Sequence, residues 1–232
     1  MTTHINPFEK DETMKTNVAI LVCSALLLAS GCDLDQLSPN APTEAQVLTT
    51  VEGIRALAVG LQAQYGETVN ETVEVSNFLT KTYVTMPASV LGLRELETGG
   101  STVQGTNGTV NTMWSQHYRV IKSAEDLINY APKVPLAAGT LSGIVALAKL
   151  TKAIAIGELI QAYERVPITV TTSLTPSFVD RATALNYVLG LLNQAQSEIS
   201  ATPPSADFNS NILGIGFNLQ NTIGAMLARY SL

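Results

Sequence analysis

Apolar residues recur at steps of three and four in several separate stretches of the chain, and this spacing predicts amphipathic helices. The first stretch begins at Thr43, which has Gln46 three residues later in the pattern of a capping box. Gly66 stands where a residue in the left-handed conformation would end the helix. We therefore predict a first helix that ends at Gly66, with an apolar stripe of Val47, Val51, Ile54, Ala58, Leu61 and Tyr65.

Two further stretches are longer. Residues 110–131 carry an apolar stripe that stops before Pro132, and proline cannot continue a helix. Residues 141–165 are apolar on most sides, and their small residues allow a neighbouring helix to approach closely; Val166 and Pro167 follow them. The pattern predicts a second helix over residues 110–131 and a third, central helix over residues 141–165.

A fourth helix is predicted to start near Arg181, with an apolar stripe over residues 185–199 before Pro203 and Pro204. A fifth is predicted to start near Leu219 and includes Ile223. The last three predicted helices start about forty residues apart, a spacing typical of stacked helical repeats. This spacing favours an all-α fold, arranged as a tetratricopeptide-like helical stack.

Periodicity is absent between the first two helices. Residues 67–109 contain clustered glycines among serines and threonines, with only short apolar pieces such as residues 89–96. We predict a long irregular loop with one or two short elements there. Loops of this length in compact domains are usually functional or mobile.

The N-terminal region has the order of an export signal: Lys15, an apolar run over residues 18–28, small residues and Cys32. A run this short does not reach the ~20 residues of a transmembrane helix. The string LLASGC resembles the lipobox of bacterial lipoproteins, whose cysteine is lipidated and becomes the mature N-terminus. We predict a signal peptide over residues 1–31, with Met14 as the true start. A plain secretory signal cut nearby and a leader that stays attached are the alternatives.

Residues 32–42 contain two prolines and show no periodicity, which predicts a flexible tether between the lipid on Cys32 and the fold. Residues 43–232 would then form one helical domain.

Composition narrows the classes of function. Charged residues make up 14% and hydrophobic residues 46% of the 232 residues, which excludes a disordered chain. The 13 basic and 19 acidic residues give a net charge of −6, which disfavours nucleic acid as a partner. Two cysteines and two histidines provide neither a disulfide framework nor a histidine-rich metal site. We therefore predict no metal and no cofactor.

Taken in order, several segments resemble the SusD/RagB family of outer-membrane nutrient-binding lipoproteins. After the lipobox and the tether they read WSQHYRVIKSAEDLI, AKLTKAIAIGELIQAYERVPI, FVDRATALNYVLGLLNQAQSEI and NTIGAMLARYSL. The second of these is the most telling, because the family has an alanine-rich helix that runs through an aromatic residue into a Val-Pro turn. Tyr163, Val166 and Pro167 match that turn. The resemblance covers the N-terminal portion of the family, whose members are longer, so the chain is predicted to be a fragment or a reduced member.

The resemblance implies a lipid-anchored protein on the outer face of the cell outer membrane. It would bind oligosaccharide nutrients and pass them to a TonB-dependent transporter of the SusC kind. Binding in the family relies on aromatic side chains stacked on sugar rings, and the protein would not be an enzyme. The alternative is a scaffolding lipoprotein that contacts an envelope partner and binds no glycan of its own.

Four aromatic residues are candidates for ligand binding. Trp114 lies on the apolar stripe of the second helix, which favours a core position, and Tyr118 lies beside the stripe. Phe78 and Tyr83 fall in the predicted irregular region, where a ring is more available to a ligand, although packing is the commoner role.

The remaining polar candidates favour structural roles. His117 follows the helix stripe, which indicates a hydrogen-bonded packing histidine. Glu95 and Glu97 could form a glycosidase pair only in a cleft, of which the sequence gives no indication. Glu158 and Glu164 are expected to pair with solvent or lysine. No catalytic residue is predicted.

Overall fold

The computed structural model describes residues 43–86, 90–170 and 175–232. The predicted signal peptide, the tether and Cys32 lie outside the described residues. The described chain is mostly helical, which confirms the all-α class. Its helices are α1 Glu44–Thr49, α2 Val51–Leu79, α3 Leu91–Thr98, α4 Gly108–Tyr130, α5 Ala138–Ala162, α6 Arg181–Ala201, α7 Ala206–Asn211 and α8 Leu219–Ser231, and its two strands are β1 Arg165–Val166 and β2 Val179–Asp180.

The first predicted helix is two helices that meet at a corner. The capping box is confirmed, since the Thr43 hydroxyl accepts from the backbone N–H of Gln46 and the Gln46 side chain accepts from Thr43 N–H. The backbone becomes extended at Thr50, whose hydroxyl then caps α2 by accepting from Gly53 N–H at 3.1 Å. A Cβ at Gly53 would collide with the carbonyl of Val47, so the corner needs glycine there.

The predicted end at Gly66 is wrong, because α2 continues through it to Leu79. Thr68, Val75 and Phe78 lie on the buried side of this extension. The Thr68 hydroxyl donates to the carbonyl of Tyr65 at 2.8 Å, so a residue that looks polar in sequence is satisfied within the helix. The predicted loop over residues 67–109 is therefore much shorter, and it also contains α3.

The central helix is confirmed in α5, but its predicted end is three residues too long. Nearly every residue from Thr140 to Ile160 is buried. Tyr163 is already extended, with φ −116° and ψ 139°, and Arg165 and Val166 form β1. Since proline disfavours a helical residue before it, Pro167 requires the chain to leave the helix here.

Helices α4, α6 and α8 confirm the other predicted helices, and α6 and α8 begin at the predicted residues, Arg181 and Leu219. Asp180 caps α6 by accepting from Thr183 N–H at 2.7 Å. The short helix α7 and the antiparallel strand pair were not predicted; in that pair Arg165 lies opposite Asp180.

The main core forms around α5. Helix α5 packs against α4 and α6, and it also contacts α2 and α8, while α8 packs mainly on α6. A smaller core of Val75, Phe78, Leu96 and Met113 joins α2, α3 and α4. No helix in the described part of the chain is both long enough and apolar enough to cross a bilayer.

Helix α7 is attached to both α2 and α5. Arg55 of α2 forms a bidentate ion pair with Asp207, at 2.5 and 2.9 Å. The fully buried ring of Phe208 lies on Gly143 of α5, and a Cβ at that glycine would be 2.5 Å from the ring carbon Cγ. Glycine at residue 143 therefore makes room for the ring.

The substitution Gly143→Ala is expected to destabilise the protein by about 1–3 kcal/mol, because Phe208 must move out of a packed site. Gly190→Ala in α6 is the matched control, since its Cβ would meet nothing within 4 Å. The control is expected to be neutral or to stabilise by up to about 1 kcal/mol through helix propensity. Chemical denaturation measures both, and equal effects would show that Phe208 does not depend on Gly143.

Candidate functional site

Four aromatic side chains form a cluster at one edge of the fold. Trp114 and Tyr118 come from α4, Tyr163 follows α5, and Phe178 precedes β2. The Trp114 ring lies 4.6 Å from Tyr118, 4.9 Å from Tyr163 and 6.1 Å from Phe178, measured between centroids. Trp114 and Phe178 are nearly parallel, at 17°, and Tyr163 meets the indole edge-on. We call these four residues the aromatic cluster.

Hydrogen bonds to the backbone hold the two tyrosines in place. Tyr118 donates to the carbonyl of Pro167 at 2.8 Å, and Tyr163 donates to the carbonyl of Val110 at 2.8 Å. Burial raises the pKa of Tyr118, and it raises the pKa of Tyr163 to about 12. Both hydroxyls therefore remain protonated donors across the physiological pH range.

The cluster is partly open to solvent. Phe178 is 44% exposed, while Trp114, Tyr118 and Tyr163 are half-buried. A rigid group of rings with one accessible face can stack on the apolar face of a ligand ring. The arrangement is chemically suited to binding.

The structure brings together two of the four predicted ligand-binding residues, Trp114 and Tyr118. Phe78 is not in an irregular segment as expected: it lies at the end of α2, is 7% exposed and belongs to the smaller core. Tyr83 is 43% exposed and meets the Phe78 ring edge-on at 5.7 Å. A binding role for each of these residues stays a prediction.

Sequence reasoning missed the other two members of the cluster as binding candidates. Tyr163 was noted only for the end of its helix, and Phe178 is a single aromatic residue in an extended, threonine-rich stretch. The alternation around β2 offers a weak signal, because Val179 is half-buried and its neighbours Phe178 and Asp180 are exposed.

A group of hydrogen-bonded polar side chains lies inside the fold, where His117 of α4 meets Glu158 of α5. His117 is fully buried, and its Nε2 lies 2.9 Å from Glu158 Oε2. Tyr65 donates to the other carboxyl oxygen at 2.7 Å. The prediction of a hydrogen-bonded packing histidine is confirmed, whereas the expected pairing of Glu158 with solvent or lysine is wrong.

Hydrogen-bond geometry fixes where the protons lie in this group. His117 Nδ1 is 2.7 Å from the carbonyl of Met113, which can only accept, so Nδ1 carries a hydrogen. One further proton must lie between His117 Nε2 and the carboxyl oxygen, because two lone pairs would repel at 2.9 Å. Burial and the neighbouring Glu158 raise the pKa of Tyr65, which keeps its hydroxyl a donor. The Thr72 hydroxyl also lies 3.3 Å from Nε2, so each titratable side chain of the group has a hydrogen-bond partner inside the fold.

A buried ion pair lies on the next part of α5 towards its N-terminus. Lys152 donates to Glu125 at 2.8 Å and to the Tyr187 hydroxyl at 2.8 Å. The side chains of Lys152 and Glu125 are only 4% and 12% exposed. Glu125 also accepts from the backbone N–H of Val170, at 3.1 and 3.2 Å. The pair thereby ties the segment after β1 to the helices.

Glu95 and Glu97, the two carboxylates considered for glycoside hydrolysis, accept hydrogen bonds from neighbouring segments of the chain. Glu95 accepts from Asn107 Nδ2 at 2.8 Å, and Asn107 in turn caps α4. Glu97 accepts from the backbone N–H and the hydroxyl of Thr85. Within the described residues, no group of three or more histidine, cysteine or acidic side chains is placed to hold a metal ion.

Comparisons of this chain with known protein families, with curated proteins and with solved structures found no match.

The hydrogen bonds of Glu158 predict unequal effects for two substitutions. Glu158→Gln keeps an acceptor for Tyr65 and adds a donor towards neutral His117, so it should cost about 1 kcal/mol or less. Glu158→Ala leaves both partners buried without a hydrogen bond and should cost about 3–5 kcal/mol. Urea denaturation at neutral pH measures both, and equal losses would show that the fold requires an ionised carboxylate.

Proposed function

We propose that this protein is a lipid-anchored binding protein of the outer face of a bacterial outer membrane. It captures oligosaccharide and passes it to a TonB-dependent transporter, without making or breaking a bond. The lipobox-like string before Cys32 supports the anchor, and the ordered resemblance to SusD/RagB segments supports the role in uptake. In this proposal α4, α5, α6 and α8, which pack in sequence, form a tetratricopeptide-like stack.

The aromatic cluster is the observation that carries the binding function. Sugar rings present apolar C–H faces, and a side chain such as Phe178 at 44% exposure offers a matching ring face. Trp114 supports Phe178 from below through the nearly parallel contact. Because the tyrosine hydroxyls are bound to the backbone, the rings lose little rotational freedom when a ligand binds, which favours affinity.

A scaffolding lipoprotein without glycan binding is the second candidate, and one surface favours it. Phe217 and Ile215, in the loop before α8, are large apolar residues exposed to solvent. Phe217 also lines an open groove of about 620 Å³ together with Ile199, Leu213 and Leu219. Exposed apolar residues beside a groove are typical of surfaces that contact another protein.

Affinity electrophoresis through gels that contain single polysaccharides distinguishes the two candidates. We expect at least one polysaccharide to retard the wild-type protein, and Phe178→Ala to weaken this binding about tenfold, which corresponds to ~1.4 kcal/mol. Phe217→Ala is the matched control, since its ring is similarly exposed, at 39% compared with 44%, but lies in the groove. If no polysaccharide in a broad panel retards the wild type, the scaffolding candidate replaces the binding one.

The anchor has its own test, which is metabolic labelling with radioactive palmitate in a bacterial host that processes lipoproteins. Wild-type protein should be labelled, and Cys32→Ala should abolish the label because the lipobox-like string then lacks the cysteine that accepts the lipid. Cys23→Ala is the control and should stay labelled, since Cys23 falls in the predicted leader. Equal labelling of Cys32→Ala and wild type would contradict lipidation at Cys32.

A further inference from the structure

Two arginines lie beside the aromatic cluster, and both are attached to its backbone. Arg165 of β1 donates from Nη2 to the carbonyl of Phe178 at 3.1 Å. Arg181, at the start of α6, donates to the carbonyl of Tyr163 at 3.5 Å. Both side chains are exposed. Each guanidinium has five N–H donors in all, so most of its hydrogen-bonding capacity remains for a ligand.

Among the residues that the structure describes, neither arginine has an ion-pair partner. Within the described residues, no carboxylate oxygen comes within 4.0 Å of either guanidinium. This differs from Arg55, which forms a bidentate pair with Asp207. A guanidinium matches the geometry of a carboxylate or a sulfate, so two unpaired ones beside a stacking surface favour an anionic ligand.

Two acidic residues, Asp180 and Glu164, lie near these arginines, and Asp180 already accepts a hydrogen bond. Asp180 accepts from Thr183 N–H at the start of α6, and this bond, more than the charge of Arg165, lowers the pKa of Asp180. Glu164 is exposed and makes no hydrogen bond to either arginine. The net charge of −6 weakly repels anions at long range, but charges beyond ~10 Å are screened at ordinary salt. The arginines act within that distance.

We infer that the aromatic cluster takes an acidic glycan, whose sugar ring stacks on Phe178 and whose carboxylate or sulfate pairs with Arg165 and Arg181. This inference rests on the proposed glycan binding and specifies its ligand class. Ring stacking supplies affinity for any sugar, whereas the two guanidiniums distinguish charged from neutral sugars.

A pair of polymers that differ only in charge tests the inference. Polygalacturonate and its fully methyl-esterified form have the same sugar backbone, but the ester blocks the carboxylate. We expect the wild-type protein to bind the acid form at least about tenfold more tightly, and this preference to shrink as salt is raised. Dextran sulfate and dextran form a second pair, which shows whether sulfate or carboxylate is the preferred anion.

The variants Arg165→Gln and Arg181→Gln should each lose about tenfold in affinity for the acidic polymer and keep the affinity for the neutral one. Lys133→Gln is the charge-matched control: Lys133 is also exposed, but it lies fifteen residues beyond Tyr118, roughly 20 Å along α4 and the turn after it. The affinity for the neutral polymer separates direct binding from a merely structural role, because only loss of structure would lower it. If an arginine only positions Phe178, its variant weakens both polymers equally, and the inference is wrong.

The outcomes separate this inference from the proposed function. Equal binding of the acid and esterified polymers overturns the acidic specificity and leaves glycan binding in place. Absence of binding to every polymer, neutral or acidic, overturns both.

Discussion

The structure depends on the burial of α5. This helix of 25 residues is apolar on most sides, and nearly all of its side chains from Thr140 to Ile160 are buried. Such a helix is stable only when other elements cover every side, because exposed leucine and isoleucine side chains each forfeit roughly 1.5–3 kcal/mol of hydrophobic stabilisation. Helices α4 and α6 cover most of its surface, while α2, α7 and α8 cover the rest. Each of these helices is needed because α5 cannot face water.

The charged residues of α5 determine how it is rotated against its neighbours. Lys149, Lys152 and Glu158 are all largely buried, and each meets a partner from α4 or α6, namely Glu198, Glu125 and His117. An unpaired buried charge costs several kcal/mol, so a rotation or slip of α5 that separated these pairs would be strongly unfavourable. Hydrophobic burial thus requires that other helices pack around α5, and the ion pairs favour one arrangement of those helices.

Periodicity in the sequence was sufficient to predict the central helix and its two main neighbours, because their apolar stripes are long and proline follows each helix. It failed where polar residues face the interior of the fold, as in the second half of α2, where Thr68 is buried and bonded within its own helix. The aromatic cluster was half predicted. Trp114 and Tyr118 share one helix turn, but Phe178 reaches them only through the pairing of β1 with β2, and such long-range pairing leaves little trace in a single sequence.

The same constraint that buries α5 also places the aromatic cluster. The buried run ends at Ile160 and the helix at Ala162; the half-buried Tyr163 follows, and its hydroxyl bonds to the start of α4 at Val110. The chain that follows returns along α4, where Tyr118 holds Pro167 and Glu125 holds Val170. Glu125 in turn accepts from Lys152 of α5. These contacts join the chain after Tyr163 to α4 and α5, and a site whose side chains the fold already holds in place binds a ligand without first having to order itself.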